Sequence, residues 1–308
     1  IIYMYTMTKT IFLLLFLPLV VFSYSKEPTR REVADHLQNI SVTIRADGEY
    51  QKSEGSGVLA TRKVGGVEMT FVWTAAHVVD SLRSVREVVD EKGDTHSVVE
   101  FKDAQIIKEL VEGGRRVGEV KMDARVIKYS DSDHGEDLAL LMVRATGYSK
   151  DGCKFYLEKS EPIIPIGTQL FHVGSLLGQL GSNSMTSGII SQIGRTYGKV
   201  EFDQTTVTAF PGSSGGGVYL EDGRYVGMLV RGVGEQFNLI VPIRRMKRWA
   251  AKNSILWAID ESVATPSLEK IISLPLEGAG KHSRKGDKKS LQTSEASPYP
   301  FLIKITTN

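Results

Sequence analysis

A serine set among glycines could do acyl-transfer chemistry, and this chain carries one in Phe210-Pro211-Gly212-Ser213-Ser214-Gly215-Gly216-Gly217. Glycine lets the backbone turn sharply and come within bonding distance of a substrate carbonyl. The amides of Gly212, Ser213 and Ser214 are then candidates to converge on an oxyanion. A Gly/Ser stretch is also the usual composition of an inert linker, and alone it does not decide between the two.

Two stretches upstream change the balance. Thr74-Ala75-Ala76-His77 directly follows an apolar strand candidate, and Glu136-Asp137 stands at the mouth of the apolar run Leu138 to Val143. Acyl transfer by serine needs a base to take its proton and an acid to hold that base in the right tautomer. Ser214, His77 and Asp137 fill those roles, in the chain order His, Asp, Ser. The chemistry requires no cofactor and no metal. The acidic run Asp131 to Asp137 does not make a calcium loop, since an EF-hand needs Gly at position six and Glu at twelve. Counted from Asp131 those places hold Glu136 and Met142, so the run reads as a solvated loop containing His134. His36, His96 and His172 have no catalytic context.

The elements that must position these residues are strands. Alternation or short apolar runs mark residues 40–44, 57–60, 69–73, 97–101, 123–129 and 138–143. A polar stretch at 145–162 reads as a crossing, followed by strands at 168–173, 185–193, 198–203, 205–209, 217–220, 225–230 and 237–241. Many short strands with few helical patterns predict an all-β fold. Residues 26–37 suit a short helix or lead-in, and Arg244 to Ile259 has helical spacing, with Met246, Trp249, Ala250 and Trp257 able to share a face.

Composition bounds the rest. The 308 residues are 41% apolar and 24% charged, with a net charge of +2, which gives no electrostatic case for nucleic acid. The single cysteine, Cys153, excludes an internal disulfide, a Cys-x-x-Cys pair and a cysteine-rich zinc site. Ile11 to Phe22 is continuously apolar after Lys9, which suits a signal peptide over residues 1–25 and is short of the ~18 apolar residues of a membrane span. The expected location is therefore secreted or periplasmic, with no stable membrane span after cleavage. Residues 263–308 read as a polar, disordered tail with a basic cluster at Lys281, Arg284, Lys285, Lys288 and Lys289. Nothing in the sequence signals an oligomeric state.

TAAHVV, EDLALL and PGSSGGG, with Thr186 to Arg195 between the second and third and Asp222 to Met228 after them, resemble trypsin-like serine proteases, most closely the bacterial Deg/HtrA branch. The resemblance spans roughly residues 40–250. It implies two packed antiparallel six-stranded β-barrels within a protease domain at 38–262: the first at about 38–146, the second at about 163–242, and a C-terminal helix at about 244–259. His77 and Asp137 would come from the first barrel and Ser214 from the second. The implied function is a serine endopeptidase acting on protein or peptide substrates. Ser213 stands where digestive-type members carry Asp, so their zymogen activation is not expected. Gly217 replaces the usual proline, which predicts a looser loop. Residues 263–308 are too few and too polar for a PDZ-sized unit.

By the same resemblance, Thr208, six residues before Ser214, forms the floor of the pocket for the side chain preceding the scissile bond. Ala209 lies beside it, and Val230, Arg231 and Gly232 form a wall. The floor is uncharged, so the expected preference is for small or medium aliphatic residues. Val230 takes the place of a serine that many relatives set near the catalytic Asp. Two rival readings remain. An α/β-hydrolase elbow fits G-x-S-x-G, but that fold needs its histidine after the serine, where only His282 is found. A non-catalytic protease-fold scaffold would be marked by loss of a triad member, and none is missing.

Overall fold

In the computed structural model, residues 28–158, 163–197, 200–232 and 236–277 are described. The N-terminal apolar stretch and the Lys/Ser-rich tail beyond 277 lie outside them. The chain starts with α1 (Arg30–Asn39), whose N-cap Thr29 and Glu32 form a reciprocal capping box.

The first barrel comprises β1 (Ser41–Asp47), β2 (Lys52–Val64), β3 (Val67–Thr74), β6 (Ala104–Glu112), β7 (Arg115–Ser130) and β8 (Leu138–Thr146). It closes in the order β1-β2-β3-β8-β7-β6. After β3 come the single-turn α2 (Ala76–Val79) and a separate hairpin, β4 (Arg83–Val89) with β5 (Thr95–Phe101). The second barrel comprises β9 (Gln169–Leu176), β10 (Gly181–Tyr197), β11 (Val200–Thr205), β12 (Gly217–Tyr219), β13 (Tyr225–Gly232) and β14 (Asn238–Pro242). It closes as β10-β11-β14-β13-β12-β9. The all-β fold of two six-stranded barrels is thus as the sequence implies. Full closure leaves neither sheet with an unpaired edge.

The wholly apolar start of β8 has a physical cause. All six residues from Leu138 to Val143 are buried, because one face fills the barrel and the other is covered. Part of the cover comes from the C-terminal segment. α3 (Ile243–Lys252) leaves the second barrel and returns over the first, with Trp249 edge-on to Trp73 at 6.0 Å. Trp257 meets Phe71 at 4.9 Å, and Arg62 donates to the Trp257 carbonyl at 2.9 Å. The single helix expected over 244–259 is corrected: α3 stops at Lys252, Ser254 is left-handed, and a 3-10 turn carries Leu256–Ala258.

Other departures are local. Residues 205–209 are not a strand beyond Thr205: the Thr206 amide still bonds the Ile189 carbonyl, but the Val207 and Thr208 carbonyls accept from the side chains of Asn238 and Thr186, so no backbone ladder continues. Residues 97–101 belong to the side hairpin, and the barrel takes β6 instead. The folded part runs past 262: α4 (Leu268–Ile272) buries Ile271, and the Tyr129 amide donates to the Leu276 carbonyl at 2.8 Å.

Candidate active site

The register of two strands brings the first pair together. β3 and β8 are antiparallel neighbours with Thr74 opposite Ala139. Three residues beyond Thr74 is His77, and two before Ala139 is Asp137, so both side chains project from the same end of the barrel. Asp137 has φ 53°, a left-handed conformation that Asp tolerates better than most residues. Its amide donates to the Asp131 carbonyl at 3.1 Å. The acidic run is a tight turn in which Asp131 Oδ1 accepts from the amides of Asp133 (3.0 Å) and His134 (2.6 Å). Arg245 of α3 ties the turn to the second barrel, donating to Glu136 Oε2 at 2.6 Å and to the Glu136 and Glu201 carbonyls.

His77 Nδ1 lies 3.1 and 3.0 Å from the two carboxylate oxygens of Asp137, and the His77 amide also donates to Oδ1. The Asp137 side chain is 2% exposed and that of His77 32%. Burial disfavours the imidazolium, but the charge of Asp137 and its hydrogen bond outweigh it, so the His77 pKa is raised; nearby Arg231 opposes this. For Asp137, burial pushes upward, and the His77 charge and hydrogen bonds prevail, holding the carboxyl below its ordinary range.

The serine loop lies between β11 and β12. Gly212 (φ 97°) and Gly215 (φ 86°) adopt backbone forms that L side chains rarely take. A Cβ on Gly215 would also fall 2.1 Å from the Ser56 carbonyl oxygen of the other barrel. Ser213 is turned inward: its Oγ accepts from the Phe210 amide at 3.1 Å, and its own amide donates to the Phe210 carbonyl. Ser214 is 5% exposed, and its Oγ donates to the Val230 carbonyl at 3.5 Å. Among the described residues it makes no hydrogen bond to His77, a slack common at nucleophiles without substrate.

The peptide planes of the loop are held from outside. The Leu177 amide donates to the Pro211 carbonyl at 2.7 Å, which turns the Gly212 N–H of that plane the opposite way. The Gly216 amide donates to the Ser213 carbonyl at 3.0 Å and fixes the Ser214 N–H likewise. Ser56, wholly buried on β2, makes three hydrogen bonds to the second barrel. Its amide donates to the Ser214 carbonyl at 2.7 Å, its Oγ donates to the Gly212 carbonyl at 2.7 Å, and that Oγ accepts from the Ser175 amide at 2.7 Å. Sequence reasoning missed Ser56. Its signal was Gly55-Ser56-Gly57 inside a strand, since glycines there mark close backbone approach.

The model of the trypsin-like peptidase domain family matches residues 55–228, more than half of the chain. The chain belongs to the trypsin-like peptidase family. It is 30% identical over 183 residues to a probable periplasmic serine endoprotease, DegP-like, of Halomonas elongata. That match covers 58% of this chain and 30% of the relative, so the chain spans about a third of that protein's length. Among solved structures, the serine endoprotease from Yersinia pestis aligns with TM-score 0.50 and 17% identity, over 80% of this chain and 67% of that one. An HtrA-type protease solved with a tripeptide gives 0.52 and 16%, over 74% and 64%. The two solved structures agree with the two-barrel fold.

For a trypsin-like peptidase, the expected pocket residues are only partly grouped. Thr208 and Ala209 are half-buried, and a Cβ on Gly232 would lie 3.8 Å from the Ala209 Cβ, so these segments face each other. Arg231 points elsewhere. It donates to the Ser132 carbonyl at 2.9 Å and packs on the rings of Tyr197 and Phe202. It lines a cleft of about 560 Å³ shared with Asp133, His134 and Asp137. Gly217 is not loose, since it pairs with Met228 on one side and Val173 on the other. His172, wholly buried, lies beneath the loop, and a Cβ on Gly216 would fall 2.6 Å from its ring. Among the described residues, no group of three or more His, Cys, Asp or Glu could hold a metal ion.

Proposed function

We propose that the chain is a serine endopeptidase in which Ser214 is the nucleophile, His77 the general base and Asp137 the residue that orients and charges the base. Ser214 Oγ attacks the substrate carbonyl while His77 Nε2 takes its proton. The amides of Gly212 and Ser214, in the loop that includes Ser213, stabilise the oxyanion. His77 then protonates the leaving amine, and water releases the acyl-enzyme by the same route. The observation that carries this reading is the buried Asp137 carboxylate against His77 Nδ1 at 3.0 Å, which leaves Nε2 as the free ring nitrogen. The inward-turned Ser213 supports Ser214 as the attacking residue.

The uncharged Thr208–Ala209 segment favours small or medium aliphatic side chains before the scissile bond, because a buried Lys or Arg there would find no carboxylate. Export to the periplasm or exterior fits the apolar stretch Ile11 to Phe22 and the printed name of the Halomonas relative. The test is covalent capture of Ser214 by a fluorophosphonate, with Ser214→Ala as the control.

A further inference from the structure

The helical turn that carries His77 has little of its own to hold it in place. α2 is four residues long, and its N-cap Ala75 makes no side-chain bond to it. A single turn of helix is unstable without outside ties. Those ties come from the 3-10 turn that follows, Asp80–Leu82. Ser81 Oγ donates to the Ala46 carbonyl of β1 at 3.1 Å. Asp80 reaches β7, where its Oδ1 accepts from the Tyr129 hydroxyl at 2.7 Å.

Tyr129 lies on the segment that leads to Asp137. It is 3% exposed and stands next to Ser130, whose Oγ accepts from the Glu136 amide at 2.8 Å and closes the acidic turn. A phenylalanine would pack on Phe101 as Tyr129 does, with ring centroids 5.0 Å apart, so what the hydroxyl adds is the bond to Asp80. Tyr129 is in turn held from outside the barrel. β7 pairs with β6 only as far as Ala124, and beyond it a strap at residues 275–277 takes the free edge, with Glu277 beside Tyr129. The Tyr129 amide donates to the Leu276 carbonyl at 2.8 Å, Lys128 Nζ to the Pro275 carbonyl at 2.6 Å, and Arg83 Nε to Glu277 Oε1 at 2.6 Å. Arg83 directly follows the Asp80–Leu82 turn, so these contacts close a ring through the strap, Tyr129 and the turn behind His77. A cavity of about 290 Å³ lies between strap and barrel, with Val99, Ile127, Leu274 and Leu276 in its lining. The hold of the strap therefore depends on these bonds more than on close packing.

We propose that Tyr129 is a positioning residue for His77, and that the strap at 275–277 sets the turnover rate by keeping Tyr129 and Arg83 in place around the turn behind the base. The inference rests on the proposed endopeptidase function, which gives His77 its task. Neither Tyr129 nor Glu277 touches the reacting atoms. Without the latch, His77 stays paired with Asp137 but is less often in line with Ser214, which lowers kcat and leaves substrate binding as it was. The opposing explanation is that the ring only stabilises the fold, in which case its loss would give fewer active molecules, each as fast as wild type.

The experiment counts active molecules by fluorophosphonate labelling of one aliquot to completion, and measures kcat per labelled molecule and KM on another, with one peptide at a pH above the His77 midpoint. It compares wild type, Tyr129→Phe, Asp80→Ala, Asp80→Asn and Glu277→Ala. Tyr129→Phe and Asp80→Ala are expected to lower kcat per labelled molecule by roughly 10-fold, within the ~10² that an ångström of misplacement costs, with KM changed much less. Glu277→Ala is expected to lower it several-fold. Asp80→Asn keeps an acceptor for the Tyr129 hydroxyl and is expected to retain most of the wild-type rate. The Asp80 variants keep the test decisive if Tyr129→Phe does not fold. Wild-type kcat per labelled molecule in Tyr129→Phe, Asp80→Ala or Glu277→Ala, or an equal loss in Asp80→Ala and Asp80→Asn, would overturn the inference and leave the endopeptidase reading standing. Absence of both labelling and cleavage in wild type would overturn the two together.

Discussion

The backbone amide of Ser56 in the first barrel donates to the carbonyl of Ser214 in the second at 2.7 Å, and the Ser56 hydroxyl holds the Gly212 carbonyl at the same distance. One buried residue thus fixes both ends of the Gly212–Ser214 turn relative to His77. Ser56→Ala keeps the amide contact and loses the hydroxyl, leaving the Gly212 carbonyl and the Ser175 amide to find other partners. The expected result is a fall in kcat of up to about 10², the scale of an ångström-sized misplacement, with KM changed less. Steady-state kinetics on one peptide check it, with Ser56→Thr expected to recover part of the loss. A change confined to KM would contradict the positioning role.

The pH dependence follows from the His77–Asp137 pair. His77 acts as a base only when neutral, and its pKa is raised above the ordinary ~6.5 of histidine. Activity should therefore be absent at acid pH, rise through a midpoint above ~6.5, and level off on the alkaline side. Asp137→Asn removes the charge that raises the pKa and spoils the tautomer, so kcat should fall by roughly 10⁴. A kcat/KM profile that is flat from about pH 5 to 8 would speak against a histidine base.

How much of this was legible in the sequence depended on how locally each feature was determined. Leu138 to Val143 could only be a buried strand or a short core helix, and its place after Glu136-Asp137 made it part of the constellation. Ile106, Ile107, Leu110 and Val111 on β6, by contrast, have spacing that suits a helix face as well as a strand. Pairing with β1 and β7 decides it, and that pairing is not local. Residues 206–209 carry strand propensity like that of β11, but beyond the Thr206 amide their carbonyls at Val207 and Thr208 bond side chains of Asn238 and Thr186 and form no backbone ladder. The candidate triad was readable because His77, Asp137 and Ser214 each sit in a short motif. Ser56 was not, because its role exists only where two distant segments meet.

Acid stability should register His172. Burial lowers its pKa to about 4, partly offset by the Gly217 carbonyl that accepts from Nδ1–H. The unfolded chain takes up a proton near ~6.5 and the folded one only near 4, so between those values the unfolded state binds more protons. Stability is then complete above ~6.5 and falls as the pH drops towards 4, by an amount on the order of 3 kcal/mol from this group. Urea unfolding at a series of pH values should show a shallower acid loss for His172→Gln than for wild type. Parallel curves would mean that His172 does not titrate differently on folding.

An activated Ser214 is read out by incubating the protein with a fluorophosphonate and mapping the adduct by peptide mass spectrometry. One adduct is expected, on Ser214, formed faster above the His77 midpoint than below it, and lost in both Ser214→Ala and His77→Ala. An adduct on Ser213, or equal labelling of wild type and Ser214→Ala, would contradict it.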